Sequence, residues 1–168
     1  MTRRLIAGAG LFIGTIVIGL ILDRINKNDR QATGYAFPDL QNASTEEQAK
    51  AVLETWHTKN ADAGIKKAMY IDLVFPIFYA GLIALICFQA SAHMRTRWVA
   101  VAGLIMAAVA LLGGIFDILE NTKMLSMVGH PENAREIATV AKFRMLKIWL
   151  VVVPMVYALL AHFDAGEG

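Results

Sequence analysis

The sequence predicts an all-α integral membrane protein, a four-helix bundle with one extra amphipathic helix in its first loop. Hydrophobic residues make up 57% of the 168 residues and charged residues 18%, whereas ordinary soluble domains carry roughly 25% charged residues. The charges are clustered, and they leave four long stretches almost without charge. The formal net charge of +2 and the lack of a basic stripe exclude a strong nucleic-acid binder.

The four apolar stretches are long enough to cross a bilayer, which takes about 20 residues for about 30 Å of hydrocarbon. Backbone amides in lipid must bond within the protein, so each stretch is predicted to be a helix. Helices of a soluble bundle would show a polar face at every turn, and these do not. We therefore expect a single membrane domain over residues 1–168, with four spans at about 5–22, 69–90, 98–121 and 143–163.

Basic residues in short segments predict the orientation of the chain. Arg3 and Arg4 precede the first span, and Arg95 and Arg97 lie between the second and the third. The positive-inside rule places both groups in the cytoplasm. An even number of spans then puts the amino and carboxyl termini in the cytoplasm and the loop 23–68 outside it.

The loop 23–68 is predicted to contain an amphipathic helix of about fifteen residues that ends near Asn60. Ser44 and Glu47 have the spacing of a capping box at a helix start. Four apolar residues follow at helical spacing: Ala49, Val52, Leu53 and Trp56. This apolar face has two possible positions, flat on the lipid surface or over the mouth of the bundle, and the sequence leaves both open.

The third span carries small and polar residues along one helical face. They recur at alternating spacings of three and four: Gly103, Met106, Ala110, Gly113, Asp117 and Glu120. Small residues let membrane helices approach closely, so this stripe is predicted to face protein, and the two acids with it. Asn121 lies beside the same face.

Charged residues from all four spans are predicted to lie at one depth near the outer surface, with Asp23 and Arg24 at the end of the first span. A rise of about 1.5 Å per residue places Asp72, Asp117 and Lys147 within about a turn of one another. Glu120, Lys142 and Arg144 lie close by, so that three acids balance three bases. Ionisable residues within spans tend to mark functional sites, but a balanced set also suits a brace between helices.

These residues predict a site for a lipid-like or isoprenoid-like amphiphile. Its tail would enter between helices kinked by Pro76 and Pro154, and its head group would meet the charged layer. Asp117, Glu120 and Asp72 are the candidate catalytic residues, because neighbouring carboxyls can act as acid and base. The candidate binding residues are Asn121, Arg144, Lys147 and Tyr79.

The sequence also leaves other functions open. The charged layer also suits an accessory or structural subunit of a membrane complex, and ion-coupled transport is a third hypothesis. We expect membrane lipids as partners, with a second copy or another membrane protein as further candidates, and no nucleic acid. No metal site is expected, since HExxH and CxxC motifs are absent from the sequence. The sequence identifies no cofactor and does not decide whether the protein is an enzyme.

Overall fold

The computed structural model describes residues 2–93 and 97–164, and the regular elements in those two ranges are all helices. They are α1 (Thr2–Thr33), α2 (Phe37–Gln41), α3 (Glu46–Thr58), α4 (Asp62–Asp72), α5 (Phe75–His93), α6 (Arg97–Met127) and α7 (Ile137–Asp164), with a 3₁₀ turn at Pro131–Glu136 that leads into α7. Four segments are long and apolar enough to cross a membrane: Leu5–Thr33, Asp62–Ala92, Arg97–Met127 and Pro131–Ala161. The predicted all-α membrane four-helix bundle is confirmed.

The helices continue beyond the predicted spans at one end of the bundle. Helix α1 runs to Thr33 rather than ending at Leu22. It stops at Gly34, whose φ of 91° is in the left-handed region and whose amide bonds to the carbonyl of Arg30 at 2.9 Å. A glycine in this conformation commonly ends a helix. The polar residues between Leu22 and Gly34 do not interrupt α1, although they end the apolar stretch.

The second span is two helices rather than one, so the kink predicted at Pro76 is a break in the helix. Helix α4 ends at Asp72 and α5 begins at Phe75. Pro76 has no amide hydrogen, and its ring conflicts with the carbonyl four residues earlier, which is that of Asp72. The Val74 amide bonds instead to the Ile71 carbonyl at 3.1 Å. The break therefore places Asp72 at a helix end.

Helix α6 is the centre of the bundle, with α5 and α7 packed along it and α1 packed mainly on α5 and α4. Close approach depends on small residues of α6, of which Gly113 belongs to the predicted stripe and Gly114 lies beside it. A Cβ added to Gly114 would lie 2.8 Å from the Ala80 Cβ, and one added to Gly113 would lie 2.9 Å from Val151 Cγ2. The stripe faces protein as predicted, with Asp117 and Glu120 buried.

Residues 34–61, with α2 and α3, form a cap over one end of the bundle. The predicted apolar face of α3 is buried, with Trp56 and Ala49 fully covered. It packs in one core with residues from the ends of α6 and α7: Met124, Met127, Val128, Ile137 and Val140. Of the two positions left open by the sequence, α3 therefore has the one over the bundle mouth and not the one on the lipid surface.

The start of α3 differs by one residue from the predicted capping box. Thr45 is the N-cap, and its hydroxyl accepts from the Gln48 amide at 3.3 Å. The Gln48 side-chain oxygen accepts from the Ser44 amide at 2.8 Å. The predicted pair of Ser44 with Glu47 was wrong. Thr45 also has a hydroxyl that can cap a helix, and it stands one residue nearer to the start of α3.

Candidate functional site

Four helices bring six polar side chains together at the capped end of the bundle. We call this set the polar cluster: Asp72 from α4, Tyr79 from α5, Asp117, Glu120 and Asn121 from α6, and Lys147 from α7. Residues predicted from three of the four spans thus converge, whereas the prediction for the first span was wrong: Asp23 and Arg24 are exposed, and Asp23 pairs with Lys27 of the same helix. The junction between α4 and α5 lets Asp72 and Tyr79 both reach α6.

The centre of the polar cluster is the ammonium of Lys147. It lies 2.8 Å from Asp117 Oδ1 and 2.5 Å from Glu120 Oε2. The Tyr79 hydroxyl donates to Asp117 Oδ2 at 2.7 Å. Side-chain exposure is 0% for Glu120, 8% for Asp117 and 14% for Lys147. Asp117 and Glu120 are three residues apart, so they share one face of α6 and a single ammonium serves both.

Asn121 and Asp72 form a second contact within the polar cluster. The Asn121 side-chain amide donates to Asp72 Oδ2 at 2.6 Å. Asn121 is fully buried, and its Oδ1 has no hydrogen-bond partner. Asp72 also interacts electrostatically with Lys147. Asn121 therefore orients Asp72, and it leaves one acceptor open in the cluster.

The cap closes the polar cluster from above. The Gln41 side-chain amide donates to Glu120 Oε1 at 2.9 Å. The Arg144 guanidinium donates to the Gln41 backbone carbonyl and, at 3.2 Å, to Asn42 Oδ1. Sequence reasoning missed Gln41. The one signal near it is Pro38 at the start of α2 followed by Asp39, which marks a helix start and says nothing of a partner in α6.

The predicted balance of three acids and three bases was wrong. Arg144, predicted as a binding residue, bonds to the cap rather than to a carboxylate of the cluster, and Lys142 is exposed. Lys142 and Lys147 are five residues apart, and at 100° per residue that turns Lys142 away from the face that meets α6. The polar cluster consequently holds three carboxyl groups and one ammonium.

Two grooves lie between α5 and α7 on the outside of the bundle. The cap-side groove has a volume of about 350 Å³ and is lined by Phe75, Tyr79, Asp117, Lys147, Ile148, Val151 and Val152. The apolar groove has a volume of about 650 Å³ and is lined by Leu82, Ile83, Ile86, Val152, Met155, Val156, Ala158 and Leu159. Both include Val152. They meet at this residue, and the three polar side chains among their lining residues, Tyr79, Asp117 and Lys147, belong to the cap-side groove.

Within residues 2–93 and 97–164, no group of three or more histidine, cysteine, aspartate or glutamate side chains is arranged to hold a metal ion. The chain matches no protein-family model, no curated protein sequence and no solved structure. Function is therefore inferred from the geometry of the polar cluster and the grooves.

Proposed function

We propose that this protein binds a lipid-like or isoprenoid-like amphiphile in the two grooves between α5 and α7. One observation carries the proposal: Tyr79, Asp117 and Lys147 belong to the polar cluster and also line the cap-side groove, which adjoins a wholly apolar groove at Val152. Ligand sites are typically apolar with a few polar groups that fix orientation. A polar head group at the cluster and a chain in the apolar groove fit that pattern.

The ligand would enter sideways, from the bilayer. Gln41 covers Glu120 at the capped end, and Arg144 holds Gln41 in place. The cap-side groove opens between α5 and α7, on a flank of the bundle that faces lipid if these helices span a membrane. An amphiphile already in the membrane reaches the polar cluster by that route without displacing the cap.

The outer leaflet is the proposed source of the ligand. Helices α1 and α6 begin at the end of the bundle away from the cap. In the sequence, Arg3 and Arg4 stand at the first of these starts and Arg97 at the second, which favours the cytoplasm for that end. Arg95, part of the same charge pattern, lies outside the described residues, as do the last four residues of the chain. We propose that both termini are cytoplasmic and that the cap is on the opposite side.

Recognition of a head group is the role we propose for the carboxylates. Both oxygens of Asp117 are engaged, by Tyr79 and by Lys147. Glu120 is engaged by Gln41 and Lys147. Carboxylates held in this way fix Tyr79 and Lys147 in place for contact with a ligand, whereas acid–base work by Asp72, Asp117 and Glu120 would first require one of these contacts to open.

Native mass spectrometry of the full chain, purified gently from its own membranes, tests the proposal. We expect one amphiphile per chain in the wild type and its loss in Ala158→Phe, because phenylalanine would fill the apolar groove. The matched control is Leu160→Phe, at an apolar residue of α7 that is 64% exposed and does not line either groove.

Two conservative changes test the head-group end of the site. Asp117→Asn and Glu120→Gln are expected to lower ligand occupancy, whereas Glu54→Gln, at an exposed residue of α3, should leave it unchanged. Equal occupancy in the Ala158→Phe and Leu160→Phe variants would overturn the proposal. So would a wild-type chain that carries no amphiphile and co-purifies with another membrane protein, an outcome that favours the accessory role.

A further inference from the structure

The polar residues among those that line the cap-side groove define the kind of head group that fits. Lys147 and Asp117 line the groove, and Tyr79 lies beside them. The other lining residues are apolar: Phe75, Ile148, Val151 and Val152. A head group in this groove therefore meets one ammonium, one carboxylate and one phenol, and little else that is polar.

Charge disfavours an ionised head group of either sign. A phosphate or carboxylate would approach a cluster in which Asp72, Asp117 and Glu120 already outnumber Lys147, and like charges in a poorly solvated site repel strongly. Arg144, three residues before Lys147 in α7, bonds to the cap. A cationic head group would come against the Lys147 ammonium, which lines the groove itself.

Hydrogen-bonding capacity points to a hydroxyl. An ammonium has three N–H donors, and Asp117 and Glu120 occupy two of those of Lys147. The third can donate to a ligand oxygen. The Tyr79 hydroxyl donates to Asp117, which leaves its oxygen as an acceptor. One hydroxyl group accepts from Lys147 and donates to Tyr79, whereas an ether or ester oxygen satisfies Lys147 alone.

The grooves also match the length of one leaflet. From Phe75 to Ile86 they follow about eleven residues of α5, or about 16 Å at 1.5 Å per residue. Half of the hydrocarbon core of a bilayer is about 15 Å. A long apolar chain anchored at the polar cluster would reach the middle of the membrane within the apolar groove.

We infer that the ligand is a neutral amphiphile with a free hydroxyl, a long-chain or polyprenyl alcohol, rather than a phospholipid, a fatty acid or an amine. This inference rests on the proposed function, because it assigns the head group of the same site. It adds that Lys147 donates to the hydroxyl oxygen and that Tyr79 accepts the hydroxyl hydrogen.

Photolabelling of the full chain in detergent tests the inference. The probe is hexadecanol with a photoactivatable group near the chain end, and labelled peptides are mapped by mass spectrometry. We expect label on the α5 and α7 residues of the apolar groove, with loss of label in Ala158→Phe and retention in Leu160→Phe. Competitors of the same chain length then report the head group: hexadecanol, hexadecyl methyl ether, hexadecanoate, hexadecyl phosphate and hexadecylamine.

Unlabelled hexadecanol should compete at a concentration about fivefold to tenfold lower than the methyl ether, which is the scale of one neutral hydrogen bond, and lower than each ionised competitor. Equal competition by the ether, or better competition by the acid, phosphate or amine, would overturn the assignment of a hydroxyl while the proposed function stands. If the wild type shows no more label in the groove than Ala158→Phe does, both the assignment and the proposed function fail.

Discussion

The ammonium of Lys147 lies between two carboxylates of α6, 2.8 Å from Asp117 Oδ1 and 2.5 Å from Glu120 Oε2. This one side chain ties α7 to α6 and also compensates two charges that are almost completely buried. It lines the cap-side groove as well. The stability of the bundle and the proposed recognition of a ligand therefore both depend on Lys147, and experiments can measure the two separately.

Removing the Lys147 charge should destabilise the bundle more than removing the whole ion-pair set. Lys147→Met leaves Asp117 and Glu120 buried without a counter-charge, and breaking a buried pair in this way costs about 3 to 5 kcal/mol. The triple variant Asp117→Asn, Glu120→Gln, Lys147→Met removes the uncompensated charge and should recover most of the loss. Thermal unfolding in detergent measures both. A triple variant no more stable than the single one would contradict this account.

Glu47, in the first turn of α3, should make the cap less stable as the pH falls into the acid range. Hydrogen bonds from its own backbone amide and from the Thr45 side chain hold the pKa of Glu47 below its usual range. A lowered pKa in the folded state stabilises the fold above the ordinary value of about 4.3. That contribution is lost as the pH falls through the lowered pKa.

Glu47→Gln is therefore expected to be less stable than the wild type at neutral pH and to match it in strong acid. Melting temperatures of the two proteins across the acid range measure the difference. A gap between them that stays constant down to strong acid would show that the charge of Glu47 does not stabilise α3.

Gln41 should be the residue of the cap on which the polar cluster depends most. Gln41→Leu leaves Glu120 Oε1 without its donor, and an unsatisfied buried acceptor costs about 1 to 3 kcal/mol, more for a charged group. Gln31→Leu, at an exposed residue of α1, is the matched control and should be close to neutral. Equal unfolding temperatures for the two variants would mean that Gln41 does not stabilise Glu120.

The spacing of small and polar residues along single helices predicted much of this site. The parts that were not predicted depend on contacts between segments far apart in the sequence. The stripe that ends in Asp117 and Glu120 is a property of one helix, and hydropathy gives the depth of each span. The depth of a residue in the membrane does not tell which way its side chain points. Arg144 was therefore predicted to lie in the cluster, although its side chain points to the cap. Gln41 lies 79 residues from Glu120 in the chain, and no local pattern of its own segment encodes that pairing.

The break in the second span has a similar explanation. The hydropathy of residues 69–90 is continuous, so it predicts one helix. The conflict between the Pro76 ring and the Asp72 carbonyl is local and was detectable, but as a kink only. Whether a proline bends a helix or divides it depends on what the freed residues pack against. Here Asp72 bonds to Asn121 of α6, a contact that the sequence of α4 and α5 does not contain.

Gly114 should tolerate no side chain while Ala80 faces it. In Gly114→Ala the new Cβ would lie 2.8 Å from the Ala80 Cβ, which is fixed to the backbone of α5, so overpacking should cost about 1 to 3 kcal/mol. Adding Ala80→Gly should restore part of that loss. The control is Gly10→Ala, because a Cβ there would meet nothing within 4 Å. Thermal unfolding in detergent reports all three, and a neutral Gly114→Ala would contradict the close packing of α5 on α6.

Trp56 should decide whether the cap stays on the bundle. It is fully buried in α3, and its indole N–H donates to the Tyr35 carbonyl at 3.3 Å. Trp56→Ala removes a large core side chain, which typically costs about 3 to 5 kcal/mol. The membrane helices meet this core only at their ends, so we expect protease cleavage within residues 34–61 while helical content by circular dichroism changes little. Trp98→Ala, at a residue that is 81% exposed, should leave the cap as resistant to protease as it is in the wild type. A Trp56→Ala protein with an equally resistant cap would show that the cap is held chiefly by its polar contacts, those of Gln41 with Glu120 and Arg144.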